Sequence, residues 1–353
     1  MKHSSSPTIS VVIPCRNERT HIGSCISSLL EQVPVPGGFE VIVAEGMSGD
    51  GTREILNELS STDHRITVVD NPQQTTACGM NRGIREARGR FIAIMGAHNR
   101  YARDYLHASL EVLQQTGADN VGGSMICEAK SELQQAIAAA HHSGFAVGGA
   151  RWHDPHYEGP ADTVFGGVYR REVFDRIGLF DETLIRNQDD ELNLRLTRAG
   201  GKIWQSPKIV SWYSPRKSLA SLFRQYLQYG FWKVKVIRKH RLPASWRHLV
   251  PAAFILANIA LMITAILTSS MGSQLSWRWS LSAWLGLLAL YSAASLGAAF
   301  VSARRRSWRL LPMLPLVFAI FHFAYGFGFL AALATWPFER TIGSDQLFTA
   351  TNH

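Results

Sequence analysis

"TISVVIPCRNE", residues 8–18, is a β-branched apolar run that stops at Pro14, the pattern of a strand buried on both faces of a parallel sheet. The segments on its C-terminal side decide the fold. In "RTHIGSCISSLLEQ" Ile22, Ile26, Leu29 and Leu30 recur at helical spacing, and "FEVIVAEGMSGDGT" (39–52) returns to a strand that leaves into a Gly-rich acidic turn. "TREILNELS" is helical again, "RITVVDN" is a third strand, and "GMNRGIREARG" leads as a helix into a fourth, "RFIAIM". Strands alternating with helices predict an α/β domain on a mostly parallel, doubly wound sheet. Ligands of such sheets bind beyond the carboxyl ends of the strands, which selects residues 14–18, 45–52, 71–81 and 96–101. Neither G-x-G-x-x-G nor G-x-x-x-x-G-K-[ST] occurs there, so neither a dinucleotide fingerprint nor a P-loop is implied. The residues support a nucleotide-type ligand over an acidic crevice.

The C-terminal third has a different composition. The chain is 46% hydrophobic and only 18% charged, against roughly 25% charged in soluble proteins. The deficit is local: residues 249–277, 279–303 and 311–338 contain no Asp, Glu, Lys or Arg. Each stretch exceeds the roughly 20 residues that cross a bilayer. Spans are therefore predicted at about 249–271, 280–302 and 311–334, within a membrane region 249–338 that precedes a tail, 339–353. Lys233, Lys235, Arg238, Lys239, Arg241 and Arg247 precede the first span, Arg304, Arg305 and Arg306 come after the second, and Arg278 alone separates the first two. By the positive-inside rule the domain at 1–215 faces the cytoplasm, and three spans leave the C-terminus outside. "MKHSSSPT" has no apolar core, so no cleaved signal is expected.

Between domain and spans, residues 216–248 place Leu219, Leu222, Phe223, Tyr226, Tyr229 and Trp232 at helical spacing with the cations late. That is the pattern of an amphipathic interfacial helix, with a helix packed on protein as the alternative. The net charge of +9 falls largely on these juxtamembrane clusters, which anionic lipid accounts for, so no nucleic-acid partner is predicted. Cys15, Cys25, Cys78 and Cys127 form no C-x-x-C pair and read as reduced, mostly buried thiols. His322 interrupts the last apolar stretch and reads as a packed or interfacial histidine, with no role assigned to it.

"VVIPCRNE", "EGMSGDGT", "GMNRGIREARGRFIAIMGAH" and "FGGVYRREVFDRIGLFDETLIRNQDDELNLRLTRAGGKI" together resemble an inverting family 2 glycosyltransferase with the GT-A fold. The likeness runs in order from about Ile9 to about Trp232. "GAHNRY", "DTVFGGVYRREVF" and "RNQDDELN" ahead of C-terminal spans look most similar to the succinoglycan-type exopolysaccharide glucosyltransferases. The resemblance implies a nucleotide-sugar site at Pro14, Arg16, Glu18, Glu45, Asp50, Asn81, Gly96, Ala97 and His98. Glu18 and Glu45 would meet ribose and base, since a carboxylate accepts well from a hydroxyl or a uracil N–H. Asp50 reads equally as a helix cap. Gly166, Gly167 and Gln188 would face the acceptor, as would the polar segment "HHSGFAVGGARWHDPHYEG".

The acid pair at the start of the family's last catalytic helix carries the base, which falls on Asp189 with Asp190 as runner-up; Glu191 reads as a complement to the helix dipole. Where the family ends a strand in Asp-x-Asp to hold Mg²⁺ or Mn²⁺, this chain has Gly96-Ala97-His98. His98 is thus the one expected metal ligand, or as a cation it would meet the diphosphate itself. Gln225 with Gln228 and Tyr229 after it does not reproduce the Gln-x-x-Arg-Trp pattern of processive synthases. The implied activity is transfer of one hexose, glucose, from a UDP-sugar to a polyprenyl-diphosphate-linked oligosaccharide at the inner (plasma) membrane, with a glycan-assembly complex as a further partner. The alternatives are transfer to polyprenyl phosphate itself and a nucleotide-sugar-binding pseudoenzyme subunit, which Gly96 favours and "QDDELN" opposes.

Overall fold

The computed structural model describes residues 6–243 and 245–336. The chain runs β1 (Ile9–Cys15), α1 (Ile22–Leu30), β2 (Phe39–Glu45), α2 (Thr52–Thr62), β3 (Ile66–Asp70), α3 (Thr76–Glu86), β4 (Phe91–Ile94), β5 (Asn99–Tyr101), α4 (Tyr105–Thr116), β6 (Asn120–Gly123) and β7 (Ile126–Cys127). It continues through α5 (Glu132–His141) and α6 (Gly144–Val147) to β8 (Gly159–Pro160), β9 (Phe165–Arg170), α7 (Glu172–Ile177), α8 (Gln188–Arg198), β10 (Ile203–Gln205) and β11 (Ser211–Tyr213). Four helices end it: α9 (Leu219–His240), α10 (Val250–Ser270), α11 (Gln274–Arg305) and α12 (Leu314–Thr335). Two compact units result, one from residues through Glu128 with Ala150–Ser214, the other from Ala129–Gly149 with the residues from Pro215 onward.

In the first unit an eight-stranded sheet has the order β3-β2-β1-β4-β9-β6-β10-β8. The expected parallel core is present: β1 pairs in parallel with β2 and β4, and β2 with β3. Alternation along β1 explains why its sequence is apolar throughout. Val11 and Ile13 pack with Ile22, Ile26 and Leu29 of α1 on one side of the sheet, while Val12 packs with Ala77, Met80 and Ile84 of α3 on the other. Each such fully buried side chain contributes about 1.5–3 kcal/mol. Beyond β4 the sheet turns mixed, because β9 lies antiparallel between β4 and β6. A small sheet, β5-β11-β7, lies past the carboxyl end of β4 and frames residues 96–98. All four cysteines are free thiols, Cys15, Cys25 and Cys78 being buried.

In the second unit α10, α11 and α12 are long and apolar enough to cross a membrane. They cover the three predicted spans, although α11 begins earlier, at Gln274. The expected tail, 339–353, lies outside the described residues. Residues 141 and 142, expected in a polar acceptor loop, end a helix instead: α5 is capped by Ser131, whose side chain accepts from Gln134 N. It packs its face of Ala136, Ala139 and Ala140 with Leu222 and Phe318. His141 is buried, its ring 5.0 Å from that of Phe321. His322, which the sequence leaves unassigned with a packed or interfacial role favoured, is held within the helices: Nε2 donates to Phe145 O (2.9 Å) and Nδ1 accepts from Tyr291 Oη (3.0 Å).

Candidate active site

The strand ends build the site from three loops. After β1 the chain turns through Asn17, at φ 54, and is stitched to the turn after β2. Asn17 N donates to Ser48 Oγ (2.8 Å), Gly49 N to Asn17 Oδ1 (3.1 Å) and Glu18 N to Thr52 Oγ1 (2.8 Å). Asp50 accepts from Thr52 N (3.0 Å) and from Arg19 N (3.1 Å); the N-cap of α2 is Gly51, so Asp50 ties the two loops together and is not itself the expected cap. The Glu45 carboxylate is fully buried and accepts from Met47 N (3.1 Å), Ser48 N (2.7 Å) and Arg53 Nη1 (2.8 Å). It shapes the turn that follows β2.

Asn81 is likewise structural: Nδ2 donates to Phe180 O (2.9 Å) and Glu182 Oε1 (2.8 Å), and Oδ1 accepts from Phe180 N (2.9 Å). It ties α3 to the loop that leads toward α8. Pro14 packs beside Gly79. Arg16 is half-buried, and its Nε has no hydrogen-bond partner among the described residues.

Beyond β4, Gly96 N donates to Tyr101 Oη (2.9 Å), and Ala97 is buried. A Cβ at position 96 would lie 2.7 Å from Asn99 Nδ2, so the backbone here is fitted to glycine. His98 Nδ1 lies 3.0 Å from Glu18 Oε1. The His98 side chain is 40% exposed while that of Glu18 is 7% exposed, so the imidazole is the solvent-facing member of the pair. Its ring rests edge-on to Tyr213 (5.7 Å), which in turn meets Phe165 at the start of β9 (6.1 Å). Arg100, two residues on, pairs with Glu128 (2.9 Å) and stacks over Trp212 (4.4 Å).

The acids of α8 separate by burial. Asn187, at φ 61, turns the chain into the helix. Glu191 is fully buried and paired with Arg195 (2.9 Å), whose Nη2 also donates to Leu179 O (2.7 Å). Asp189 is exposed and Asp190 half-buried, and Asp189 Oδ1 accepts from Asp190 N (2.9 Å). Beneath them Tyr169 Oη donates to Asn193 Oδ1 (3.1 Å), which also accepts from Asn120 Nδ2 (3.1 Å), while Asn193 Nδ2 donates to Thr163 Oγ1 (2.8 Å). Burial pushes the Tyr169 hydroxyl pKa well up, and the charges of Asp189 and Asp190 push it further, so it stays a neutral donor below two carboxylates.

Gly167 is packed into this network, where a Cβ would meet Asn120 Oδ1 at 2.7 Å, so the close approach of Asn120 needs the glycine. Gly166 is half-buried at φ 65, a left-handed conformation that favours glycine, and its carbonyl accepts from Tyr105 Oη. Gln188 Oε1 is buried with no hydrogen-bond partner among the described residues. Tyr169, Asn193, Asn120, Thr163 and Tyr213 escaped the sequence reading because β6, β9, α8 and β11 bring them from distant segments with no shared motif.

The fold's metal requirement can be tested on these donors. Among the described residues no three His, Cys, Asp or Glu side chains gather to hold an ion. The donors therefore do not form a protein-built cage. They do fit an ion that takes most of its ligands from a diphosphate and one from His98. A carboxylate that fixes one ring nitrogen and leaves the other to a metal is a recurrent arrangement, and Glu18 stands in that relation to His98.

The strand-end loops, the His98–Glu18 pair and the exposed Asp189 at the start of α8 all belong to one α/β unit. The chain belongs to glycosyl transferase family 2, whose sequence model matches residues 10–178. It is 35% identical over 245 residues to the succinoglycan biosynthesis protein ExoA of Rhizobium meliloti (strain 1021), covering 69% of this chain and 74% of that one. It is 29% identical over 267 residues to a Methanococcus voltae enzyme, covering 73% and 82%. That enzyme is named dolichyl N-acetyl-alpha-D-glucosaminyl phosphate 3-beta-D-2,3-diacetamido-2,3-dideoxy-beta-D-glucuronosyltransferase. Among solved structures, the mannosyltransferase PcManGT from Pyrobaculum calidifontis, in complex with GDP-Man and Mn²⁺, superposes with a TM-score of 0.56. At 20% identity, over 92% of this chain and 87% of that one, the likeness establishes the GT-A fold. The protein is a glycosyltransferase related to those of exopolysaccharide and glycan biosynthesis, with three C-terminal helices apolar enough to span a membrane.

Proposed function

We propose that the protein transfers a hexose, glucose, from a UDP-sugar to a polyprenyl-diphosphate-linked oligosaccharide, with inversion, at the cytoplasmic face of the inner (plasma) membrane. The observation that carries this reading is the separation of the α8 acids. Glu191 is consumed by Arg195, whereas Asp189 is exposed and sits near a buried Tyr169–Asn193 network that holds the first turn of α8. The Asp189 carboxylate removes the proton from the acceptor hydroxyl as that oxygen bonds to the anomeric carbon. The bond from that carbon to the diphosphate oxygen breaks on the opposite side, so an α-linked donor yields a β-linked product. Glu18, through His98, and the Arg16 loop line the donor side. His98 is the residue that would hold Mg²⁺ or Mn²⁺, which when bound supplies positive charge to the departing diphosphate. A lipid-linked acceptor is supported by the named activity of the Methanococcus voltae relative and by the apolar helices. An exopolysaccharide role is supported by the Rhizobium relative.

The test is UDP release by the purified full chain from UDP-glucose, with and without lipid-linked acceptor, in Mn²⁺ or in EDTA. Acceptor-dependent release is expected, falling by about 10²- to 10⁴-fold in Asp189→Asn, the range for loss of a general base. Release in EDTA equal to that in Mn²⁺ would remove the metal role from His98. Transfer to polyprenyl phosphate carrying no sugar would replace the acceptor in this reading. No turnover with UDP binding retained would make the chain a binding subunit.

A further inference from the structure

Three apolar helices suggest three crossings, but the way α9 runs along α12 argues against the third. The two helices advance in step. Tyr226 stacks on Phe321 (4.0 Å between ring centroids), and Arg238 lies over Trp336 (4.5 Å). Between these points the backbones touch: a Cβ on Gly230 would strike the Tyr325 carbonyl, and one on Gly328 the Leu227 carbonyl. The pair is parallel over some 15 residues of α12, roughly 22 Å of its length. α12 meets α11 in the second half of that helix, with Tyr291 at His322 and Ala299 and Ala303 beside Leu310 and Leu314, and meets α10 near its start, where Gly326 faces Pro251 and Ile255. α10 returns against α11, with Phe254 stacked on Tyr291 (4.8 Å).

If α12 crossed outward, α9 would have to cross outward beside it. Lys233 lies three residues past the Gly230 contact, hence roughly 5 Å from the middle of α12, and Lys235 lies just beyond. Each would cost about 2.5–3.5 kcal/mol on insertion scales. The cations at Arg238, Lys239 and Arg241 would emerge on the outer side, against the charge rule. The chain would then have to regain the inner side through residues 241–249 before α10, and no lipid-exposed irregular segment crosses a hydrocarbon core. Burial agrees: half of the apolar window of α12 is buried in protein, against 17% in α10 and in α11.

We propose that only α10 and α11 cross the bilayer, and that α9 and α12 lie together on its cytoplasmic face as a platform for anionic lipid headgroups. α12 buries one side against α9 and α5 and turns Leu316, Phe327 and Leu333, all exposed, to the acyl boundary. The late cations of α9 meet the headgroups. The C-terminus then lies on the same side as the catalytic unit, where three crossings would put it on the other. This inference rests on the cytoplasmic placement of that unit.

The experiment uses the full chain in a Gram-negative host, with paired cytoplasmic and periplasmic reporters joined before residue 1, inserted in the 271–273 turn, or joined after residue 353. The expected pattern is inside, outside, inside. Membrane-impermeant thiol labelling of Ser273→Cys and Thr351→Cys in intact cells provides a second reading without a fusion, with only the first expected to react. A C-terminus on the opposite side from the N-terminus, or a reactive Thr351→Cys, overturns the two-crossing arrangement. An external N-terminus with the C-terminus on its own side would leave two crossings standing and instead overturn the cytoplasmic placement of the catalytic unit.

Discussion

Asp189, Asp190 and Glu191 are one run in the sequence and three environments in the fold. Glu191 is fully buried against Arg195, and removing one partner of a buried pair typically costs about 3–5 kcal/mol. Glu191→Gln is therefore expected to lower the thermal midpoint of the purified protein clearly, whereas Asp189→Asn is expected to leave it unchanged while abolishing transfer. Equal loss of stability in both would remove the distinction on which the base assignment rests. At Gly96 the missing acid is a packing matter as well as a chemical one. Asn99, 6% exposed, holds its Nδ2 where a Cβ would go. Gly96→Asp alone is expected to lose about 1–3 kcal/mol, the usual range for overpacking, and Asn99→Ser in the same chain to recover most of it. Urea unfolding monitored by fluorescence would measure both. A single variant as stable as the parent would show that the position tolerates the family's carboxylate after all.

At the scale of elements, the first four strands were legible because β1, β2 and β4 are apolar runs buried on both faces, β3 is a short β-branched run at the sheet edge, and the helices between them repeat at 3.6 residues. β9 was not, because nothing in "FGGVYR" says that it lies antiparallel between β4 and β6; pairing between distant segments leaves no local mark. Glu45 and Asn81 were legible as important, and the fold adds what the sequence could not show: Glu45 holds the turn after β2 and Asn81 ties α3 to the loop before α8. α5 was hidden by its histidines. His141 is buried, and that burial, with His142 second, pushes its pKa from 6.5 down to about 3. Above pH 6.5 both folded and unfolded chains are neutral there and full stability is present. Below it the unfolded chain takes up a proton that the folded one refuses, so stability falls by about 1.4 kcal/mol per pH unit, about 2 kcal/mol by pH 5. Thermal midpoints in detergent are expected to drop more steeply from pH 7 to 5 in the parent than in His141→Gln; parallel slopes would refute it. Gly230 and Gly328 let two backbones meet, so Gly230→Leu is expected to separate α9 from α12 and give aggregated protein on size exclusion. A monodisperse Gly230→Leu would mean that the pair does not need this contact.

For the whole molecule, the question is why an α/β catalytic unit is joined to apolar helices that make up about a fifth of the chain. On the proposed function the acceptor's polyprenyl tail confines it to the bilayer, so an enzyme confined to the same bilayer meets it at an effective concentration set by the membrane rather than by the solution. The UDP-sugar, being soluble, gains nothing from the anchor. This asymmetry makes a measurable difference. With enzyme and lipid-linked acceptor reconstituted in the same vesicles, transfer is expected to exceed that with the two in separate vesicles by roughly 10²-fold or more, while the KM for the UDP-sugar stays constant. Adding detergent above the level that dissolves both populations should erase the difference, since acceptor and enzyme then exchange among micelles. Equal rates in shared and separate vesicles would mean that the acceptor leaves its membrane to be glycosylated. The helices would then serve to locate the protein, and the acceptor would be recognised by its saccharide alone.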